Sequence, residues 1–337
     1  MLNPNLDEFV EVLPVSQQMT SSAWYQGTAD AVYQNIDIIE SHRPNYVVIL
    51  AGHHVYKIDY GLMLAEHVRS GAQMTVACVE VSLELASAFG VMAVDENLRV
   101  NEFAEKPVDP KPIPGDPGKA LASMGIYVFD ADFLIHELHV DAVQPDSTHD
   151  FGHDIIPRLI DRAHVQAYRF RHPVTGNQAY WRDVGTIDSF WKANLELLAE
   201  APDLDLYDQQ WPILTHQLQL PPARFLTNAD DHNASVTESM GACVIDGAHL
   251  SRALLFSNVS VGAESIVDAS VVLPDTEIGK GCLVRNAVLD RGCTIPANMQ
   301  IGVDRNDDIR RFRVSDGGVV LVTPQMLEHL HGGSLSE

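Results

Sequence analysis

Three short segments carry side chains that could bind a phosphate group or a divalent cation. They are residues 51–54 (Ala-Gly-His-His), 105–107 (Glu-Lys-Pro) and 181–185 (Trp-Arg-Asp-Val-Gly). Two of them follow predicted strands and the middle one follows a predicted β-hairpin, and open α/β sheets bind ligands at the carboxyl ends of their strands. The carboxylate of Asp183 suits a hard divalent cation, and the ammonium group of Lys106 suits a phosphate.

These residues also have structural explanations. Asp183 could equally cap the helix that follows it, and Lys106 could be an ordinary solvated lysine. His53 and His54 are weak evidence for a metal site, because adjacent residues of a strand point to opposite faces. The predicted helix start at residues 27–30 (Gly-Thr-Ala-Asp) adds backbone N–H groups that could bind an anion or a base.

The elements that must position these segments alternate between helix and strand. Residues 46–51 and 74–81 are continuous apolar runs, typical of strands buried on both faces of a parallel sheet. Helical spacing of apolar residues predicts helices over residues 28–40, 60–70 and 149–160. The alternation indicates an open α/β sheet.

A repeat of seventeen residues dominates the C-terminal part of the chain. Its apolar columns are Val244, Val261, Ile278 and Ile295; Leu250, Val267, Val284 and Ile301; and Leu255, Val272 and Leu289. Columns that recur together indicate coils stacked on one another, as in a parallel β-helix built from hexapeptide-type turns. The alternative is a β-sandwich with evenly spaced strands, which would not require the exact spacing.

Composition excludes several classes of protein. The formal net charge of −24 over 337 residues disfavours binding to nucleic acid. No apolar run is long enough to cross a bilayer, so we expect no membrane partner. The four cysteines form no CxxC pair, and we expect them to be buried thiols in a cytoplasmic protein.

These observations divide the chain into three parts. We expect a nucleotide- and substrate-binding domain over residues 1–200, whose last helix is capped by Thr186. Residues 201–231 read as a linker rich in Pro, Asp and Gln, and residues 232–337 as the β-helix domain.

Five strings in order resemble bacterial ADP-glucose pyrophosphorylase, the glucose-1-phosphate adenylyltransferase of glycogen biosynthesis. They are residues 24–32 (WYQGTADAV), 87–92 (SAFGVM), 105–107 (EKP), 121–129 (LASMGIYVF) and 180–186 (YWRDVGT). The resemblance implies a Rossmann-like nucleotidyltransferase sheet followed by a left-handed parallel β-helix. It implies a cytoplasmic, allosteric homotetramer that converts ATP and glucose 1-phosphate to ADP-glucose and pyrophosphate with Mg²⁺.

The resemblance also assigns roles to individual residues. The residues implied to hold glucose 1-phosphate are Tyr25, Gly90, Glu105, Lys106 and Ser123. Lys106 would pair with the phosphate, Asp183 would be a Mg²⁺ ligand, and Arg291 would bind the inhibitor AMP. We expect Gly27 and Thr28 to contact the nucleotide.

Two departures from the family bear on activity. His53 stands where the family has an aspartate that is its second catalytic metal ligand. The Gly-rich, Arg-containing phosphate loop has no counterpart, so we expect an incomplete sheet that lacks the leading β-α-β section. A non-catalytic modulatory subunit or decayed paralogue, paired in a hetero-oligomer with a catalytic chain, is therefore an alternative, and an enzyme making dTDP- or UDP-sugars is another.

Overall fold

The computed structural model forms two compact units, Met1–Trp181 and Arg182–Glu337. It describes residue 10 and residues 12–13, 24–172, 175–215, 218–226 and 234–332. The predicted start of the β-helix at residue 232 lies outside the described residues. None of the helices in the described ranges is long and apolar enough to cross a membrane. The four cysteines are buried and free, as predicted.

The first unit is a sheet flanked by helices. Its helices are α1 (Thr28–Tyr33), α2 (Ile36–His42), α3 (Tyr60–Ser70), α4 (Leu83–Ala86), α5 (Ala131–Ala142), a π-helix (Phe151–Ile155) and α6 (Ile156–Leu159). Its strands are β1 (Tyr46–Leu50), β2 (His54–Tyr56), β3 (Met74–Ser82), β4 (Gly90–Val94), β5 (Val100–Glu105), β6 (Lys119–Asp130) and β7 (Val165–Arg169). Strand β8 (Trp181–Asp183) leads from the first unit into the second.

Local chemistry explains where two predicted helices begin and end. Helix α3 matches its prediction: the Asp59 carboxylate accepts a hydrogen bond from the Gly61 N–H at 2.8 Å, and Gly71 ends the helix with φ +65°. The helix predicted over residues 28–40 is instead two helices. At the break the Asn35 side chain donates to the Ala31 carbonyl at 2.8 Å, a local bond that competes with helix continuation.

The central sheet is mixed, and its strand order is β5-β4-β6-β3-β7 with β1 also paired to β6. Only the β3–β7 pair is parallel among these pairings. The expectation that residues 46–51 lie in a parallel sheet, buried on both faces, is wrong for β1. Long strand β6 lies between β1 and β3 and runs antiparallel to both, and Tyr46, Val48 and Leu50 are each more than one third exposed.

The second unit is a parallel β-helix, and its described residues also form three α-helices. Its strands are β9 (Arg224–Leu226), β10 (Ala234–Ser239), β11 (Val244–Asp246), β12 (His249–Leu255), β13 (Ser260–Val261), β14 (Ile266–Val272), β15 (Glu277–Ile278), β16 (Leu283–Arg285), β17 (Ala287–Leu289), β18 (Thr294–Ile295), β19 (Gln300–Ile301), β20 (Arg313–Val314) and β21 (Val320–Val322). Its helices are α7 (Ile187–Glu196), α8 (Arg305–Arg311) and α9 (Pro324–Gly332).

The strand registers confirm two predicted columns and correct the third. The columns that begin at Leu250 and Leu255 follow parallel ladders in the predicted register, which excludes the β-sandwich alternative. In the remaining column Val261 pairs with Ile245 rather than Val244, so the first interval is sixteen residues. Ile245 is accordingly buried, whereas Val244 points outward and is 38% exposed.

Helix α7 covers one outer face of the β-helix. Its apolar side chains pack against Val271 and Val288, and the Trp191 indole N–H donates to the Ala269 carbonyl at 2.7 Å. Thr186 caps this helix in a reciprocal capping box with Ser189, as predicted for Thr186. The boundary at residue 200 stays a prediction, although the helix that precedes it packs within the second unit.

Candidate functional site

The Gly27-Thr28 segment is fixed against the segment that precedes the π-helix. A Cβ atom on Gly27 would lie 2.3 Å from the His149 carbonyl oxygen, so the two segments can pack this closely only because Gly27 has no side chain. The Thr28 hydroxyl donates to the Asp150 carboxylate at 2.9 Å and accepts from the Phe151 N–H at 3.1 Å. The Ala29 and Asp30 N–H groups both donate to the His149 carbonyl. Contrary to the sequence-based expectation, these two N–H groups are therefore not free for an anion.

Asp150 organises the start of the π-helix. One of its carboxylate oxygens accepts from the N–H groups of Gly152 and His153, at 2.8 and 3.0 Å, while the other holds Thr28. The predicted α-helix over residues 149–160 begins instead as a π-helix, in which the Ile155 N–H reaches back to the Asp150 carbonyl at 3.2 Å. Such short π-helical turns occur frequently at functional sites.

Glu105 lies between two glycines that its carboxylate requires. It ends strand β5 directly opposite Gly90 of β4. A Cβ atom on Gly90 or on Gly152 would approach the Glu105 Oε2 atom to 2.8 or 2.9 Å. Partial burial raises the pKa of Glu105, and the charges of Lys106 and His153 act in the opposite direction. The arrangement places a hydrogen-bond acceptor next to Lys106 in the chain, with His153 close enough to act on its charge.

Lys106 adopts a backbone conformation that is unusual for its type. Its φ is +48°, in the left-handed region, and its N–H donates to the Phe89 carbonyl at 3.0 Å. Such strain in a residue other than glycine must be held by its surroundings and concentrates at binding sites. The backbone of Lys106 is thereby held directly after strand β5, and its side chain is exposed.

Ser123 is connected to Glu105 and Asp150 through the side chain of Tyr127. Ser123 is 9% exposed, its hydroxyl accepts from the Gly125 N–H at 3.2 Å, and it hydrogen-bonds the phenol of Tyr127. Burial raises the pKa of Tyr127, and the nearby charges of Asp150 and Glu105 raise it further, so the phenol stays neutral. Sequence reasoning missed Tyr127, although its spacing of four from Ser123 along one strand places both on the same face.

We call Gly90, Glu105, Lys106, Asp150, Gly152 and His153 the Glu105 cluster. Three of its members were predicted as site residues and are brought together. Asp150, Gly152 and His153 were missed, because the sequence offered only a helix pattern there. Tyr25, another predicted site residue, is half-buried, and its hydroxyl accepts from the Asn35 side chain at 3.2 Å beside the break between α1 and α2.

His53 and His54 depart from the geometry expected of a strand. Strand β1 ends at Leu50, and His53 lies in a turn before β2. Their rings are therefore close, with centroids 4.3 Å apart in an edge-to-face contact, rather than on opposite faces. The His54 ring also lies edge-to-face against Trp181 at 5.1 Å, whereas His53 is exposed.

Asp183 does not cap the helix that follows it, which removes that alternative. Thr186 takes the cap position, and the Asp183 carboxylate accepts from the Gly185 N–H at 2.7 Å. This bond orients the carboxylate at the end of β8. In the β-helix, Arg291 is exposed, and its Nε atom lies 3.9 Å from a carboxylate oxygen of Asp275.

Comparison with known proteins relates both units to one kind of enzyme. Residues 4–200 match the nucleotidyl transferase family, whose members generally use a divalent metal ion, and residues 221–322 match the GlmU-like C-terminal hexapeptide family. Glucose-1-phosphate adenylyltransferase 2 of Alkalilimnicola ehrlichii is 57% identical over 97% of this chain and 77% of its own length. The glucose-1-phosphate adenylyltransferases of Nitrosococcus oceani and Methylococcus capsulatus are 55% and 53% identical, over 96% and 98% of this chain and 77% and 78% of their own lengths.

Identity at this level extends through the sheet unit and the β-helix alike. The resemblance carried by the five sequence strings is thereby confirmed. The chain belongs to the glucose-1-phosphate adenylyltransferase family.

Proposed function

We propose that this chain binds glucose 1-phosphate at the Glu105 cluster and joins it to the adenylyl group of ATP, releasing pyrophosphate. The observation that supports this is the Glu105 carboxylate, which is packed between Gly90 and Gly152 beside a strained Lys106. A carboxylate accepts hydrogen bonds from sugar hydroxyls, and the adjacent lysine neutralises the phosphate. Tyr25 and Ser123 complete the proposed sugar-phosphate residues, and Gly27 and Thr28 the proposed nucleotide contacts.

The proposed reaction needs no covalent enzyme intermediate. A phosphate oxygen of glucose 1-phosphate attacks the α-phosphorus of ATP. The bond between the α-phosphorus and the oxygen that bridges to the β-phosphate breaks, and pyrophosphate leaves. The protein contributes by positioning the two substrates and by neutralising charge. Lys106 holds the attacking phosphate, and Glu105 orients the sugar ring to which it is attached.

The metal of the proposed reaction is Mg²⁺, with Asp183 as a ligand. The donor chemistry fits at this position, because Mg²⁺ prefers carboxylate oxygens and the Gly185 N–H orients the carboxylate of Asp183. It does not fit at His53, since a neutral imidazole is a poor Mg²⁺ ligand and removes a negative charge. When bound, the metal neutralises phosphate charge.

His53 therefore supports a second candidate function, that of a weakly active or modulatory subunit. We expect glucose 1-phosphate binding with slow turnover, reduced on the order of 10³-fold by the missing carboxylate. Assembly into a homotetramer or a hetero-oligomer with a catalytic chain, and AMP binding at Arg291, belong to this proposal.

One pair of measurements tests the proposal. Calorimetry should detect binding of glucose 1-phosphate to the purified chain, and Lys106→Ala should weaken it strongly. Pyrophosphate release with ATP, glucose 1-phosphate and Mg²⁺ should then be compared between the chain and its His53→Asp variant. A rise in the variant supports a metal-site role for position 53, whereas fast turnover by the unaltered chain would contradict the expected defect.

A further inference from the structure

We propose that His153 is a further binding residue for glucose 1-phosphate, whose imidazolium donates its Nε2–H to a phosphate oxygen of the sugar phosphate. This inference rests on the proposed function of the Glu105 cluster. It adds a second cation to Lys106, and it makes affinity for the sugar phosphate depend on pH.

The backbone holds His153 at the cluster. It is the third residue of the π-helix and directly follows Gly152, which lies against the Glu105 carboxylate. Its N–H is fixed by Asp150, the same residue that holds Thr28. The imidazole itself is 63% exposed, so the side chain extends into solvent from a fixed point of attachment.

The neighbouring carboxylate sets which ring nitrogen can bind a ligand. The Nδ1 atom of His153 lies 3.1 Å from a carboxylate oxygen of Asp154. Because a carboxylate only accepts, the proton of the neutral ring stays on Nδ1 and Nε2 is then only an acceptor. Protonation adds an Nε2–H donor and a positive charge together. A phosphate oxygen, itself an acceptor, can therefore be bound only by the imidazolium.

The charges around His153 favour that imidazolium. The hydrogen bond and charge of Asp154 raise the pKa of His153, slight burial opposes them, and Asp150 and Glu105 raise the pKa further. Charged groups on the other packed elements are held in separate pairs: Asp30 of α1 with Gln34, and Asp141 of α5 with His149 and with Arg158 of α6. Lys106 and His153 both act on the charge of Glu105, and the phosphate would be bound by these two cations.

The overall charge of the protein explains why a second cation would matter. A chain with a net charge of −24 repels a sugar phosphate, so affinity must come from cations placed locally. Within the Glu105 cluster the carboxylates of Glu105 and Asp150 outweigh Lys106 alone. An imidazolium at position 153 adds a second positive charge beside these carboxylates and that of Asp154, so a bound phosphate meets two cations.

Binding measurements over a range of pH test this inference. The dissociation constant of glucose 1-phosphate should be measured by calorimetry from pH 6.5 to 8.5 for the full chain and for His153→Gln. Their ratio cancels the ionisation of the phosphate itself. We expect the variant to bind about tenfold more weakly at pH 6.5 and about equally at pH 8.5. His153→Lys should keep tight binding throughout, and the exposed His136→Gln should match the unaltered chain at every pH.

Two outcomes would overturn the inference in different ways. The first is a ratio of the two dissociation constants that does not change with pH, while the chain still binds glucose 1-phosphate and Lys106→Ala still weakens that binding. This result would exclude a role for His153 and would leave the proposed function unaffected. An unaltered chain that binds no glucose 1-phosphate at any pH removes both proposals together.

Discussion

The β-helix and the Glu105 cluster obtain their geometry in opposite ways. In the β-helix each coil repeats the task of the previous one, so Leu250, Val267, Val284 and Ile301 occupy equivalent buried positions. The Glu105 cluster has no such repeat, and its residues come from three separate segments of the chain: the start of β4, the end of β5 and the π-helix. A repeated pattern allows the strand positions to be predicted from one sequence. A site built from contacts that each occur once can be described only from the folded structure.

Glycine shows the contrast most directly, and it gives the largest expected effect. Gly302 and Gly292 both lie in the β-helix with nearly equal φ values, +73° and +72°. A Cβ atom on Gly302 would lie 1.7 Å from the Arg285 carbonyl oxygen, while one on Gly292 would meet no atom within 4 Å. Gly292→Ala should cost about 1 kcal/mol in unfolding free energy, and Gly302→Ala about 4 kcal/mol or more.

Urea unfolding followed by tryptophan fluorescence, to which Trp191 on the β-helix contributes, measures this difference. Because the two glycines share the same backbone strain, the difference between the variants reports the coil-to-coil contact alone. Equal unfolding midpoints would mean that the coils can separate slightly at no cost, and the β-helix would then be less tightly specified than the columns imply.

At Gly152 the same substitution should damage binding rather than folding. Its Cβ atom would meet the movable end of the Glu105 side chain at 2.9 Å, not backbone. The carboxylate can swing away, so we expect a small change in stability. Affinity for glucose 1-phosphate should fall by about tenfold or more, since the acceptor leaves its position.

Gly118→Ala is the matched control, because the nearest atom to its added Cβ would be 3.7 Å away, an ordinary contact. It should leave both stability and affinity unchanged. If Gly152→Ala unfolded the chain without first losing affinity, the glycine would belong to the core of the sheet unit and not to the binding site.

Most of the fold was accessible from the sequence for reasons visible in particular elements. Helix α3 carries its own start and stop signals at Asp59 and Gly71, and the columns of the β-helix carry their register. The first column was misread by one residue because both Val244 and Ile245 are apolar, and only the ladder with Val261 decides between them. The direction of β1 was misread because an apolar run does not state whether its neighbour is parallel or antiparallel.

The site was accessible only where its residues lay in a recognisable string. Lys106, Glu105 and Gly90 were predicted as site residues in that way. Asp150 and His153 were not, because they are linked to the cluster by interactions between distant segments. Asp150 accepts a hydrogen bond from Thr28 across more than a hundred residues of chain, and the charge of Glu105 acts on His153 across nearly fifty. A helical pattern over residues 149–160 cannot reveal the π-helix at its start, since α- and π-helices differ in whether each N–H bonds the carbonyl four or five residues back.

The segment beside the Glu105 cluster should lose stability in acid, because Asp154 holds it as an ionised carboxylate. Although burial acts against it, hydrogen bonds from Thr148, the Asp150 N–H and His153 lower the pKa of Asp154 to about 2, from an ordinary value of 3.8. A folded-state pKa below the unfolded one gives stability that is present above the unfolded value. This stability is lost as the pH falls from about 5 to about 2. We expect Asp154 to contribute about 1 kcal/mol near neutral pH.

Asp154→Asn removes the titrating group and so measures the contribution. The variant should be less stable than the unaltered chain at pH 7. The difference between their free energies of unfolding, measured with urea at each pH, should decrease steadily towards pH 3. Asp161→Asn, at an exposed position of the same unit, should show no such narrowing. If the unfolding free energies of both variants changed with pH in the same way as that of the unaltered chain, the carboxylate of Asp154 would not hold the segment before the π-helix. The Glu105 cluster would then be positioned by the backbone contacts of Gly27 and Asp150 instead.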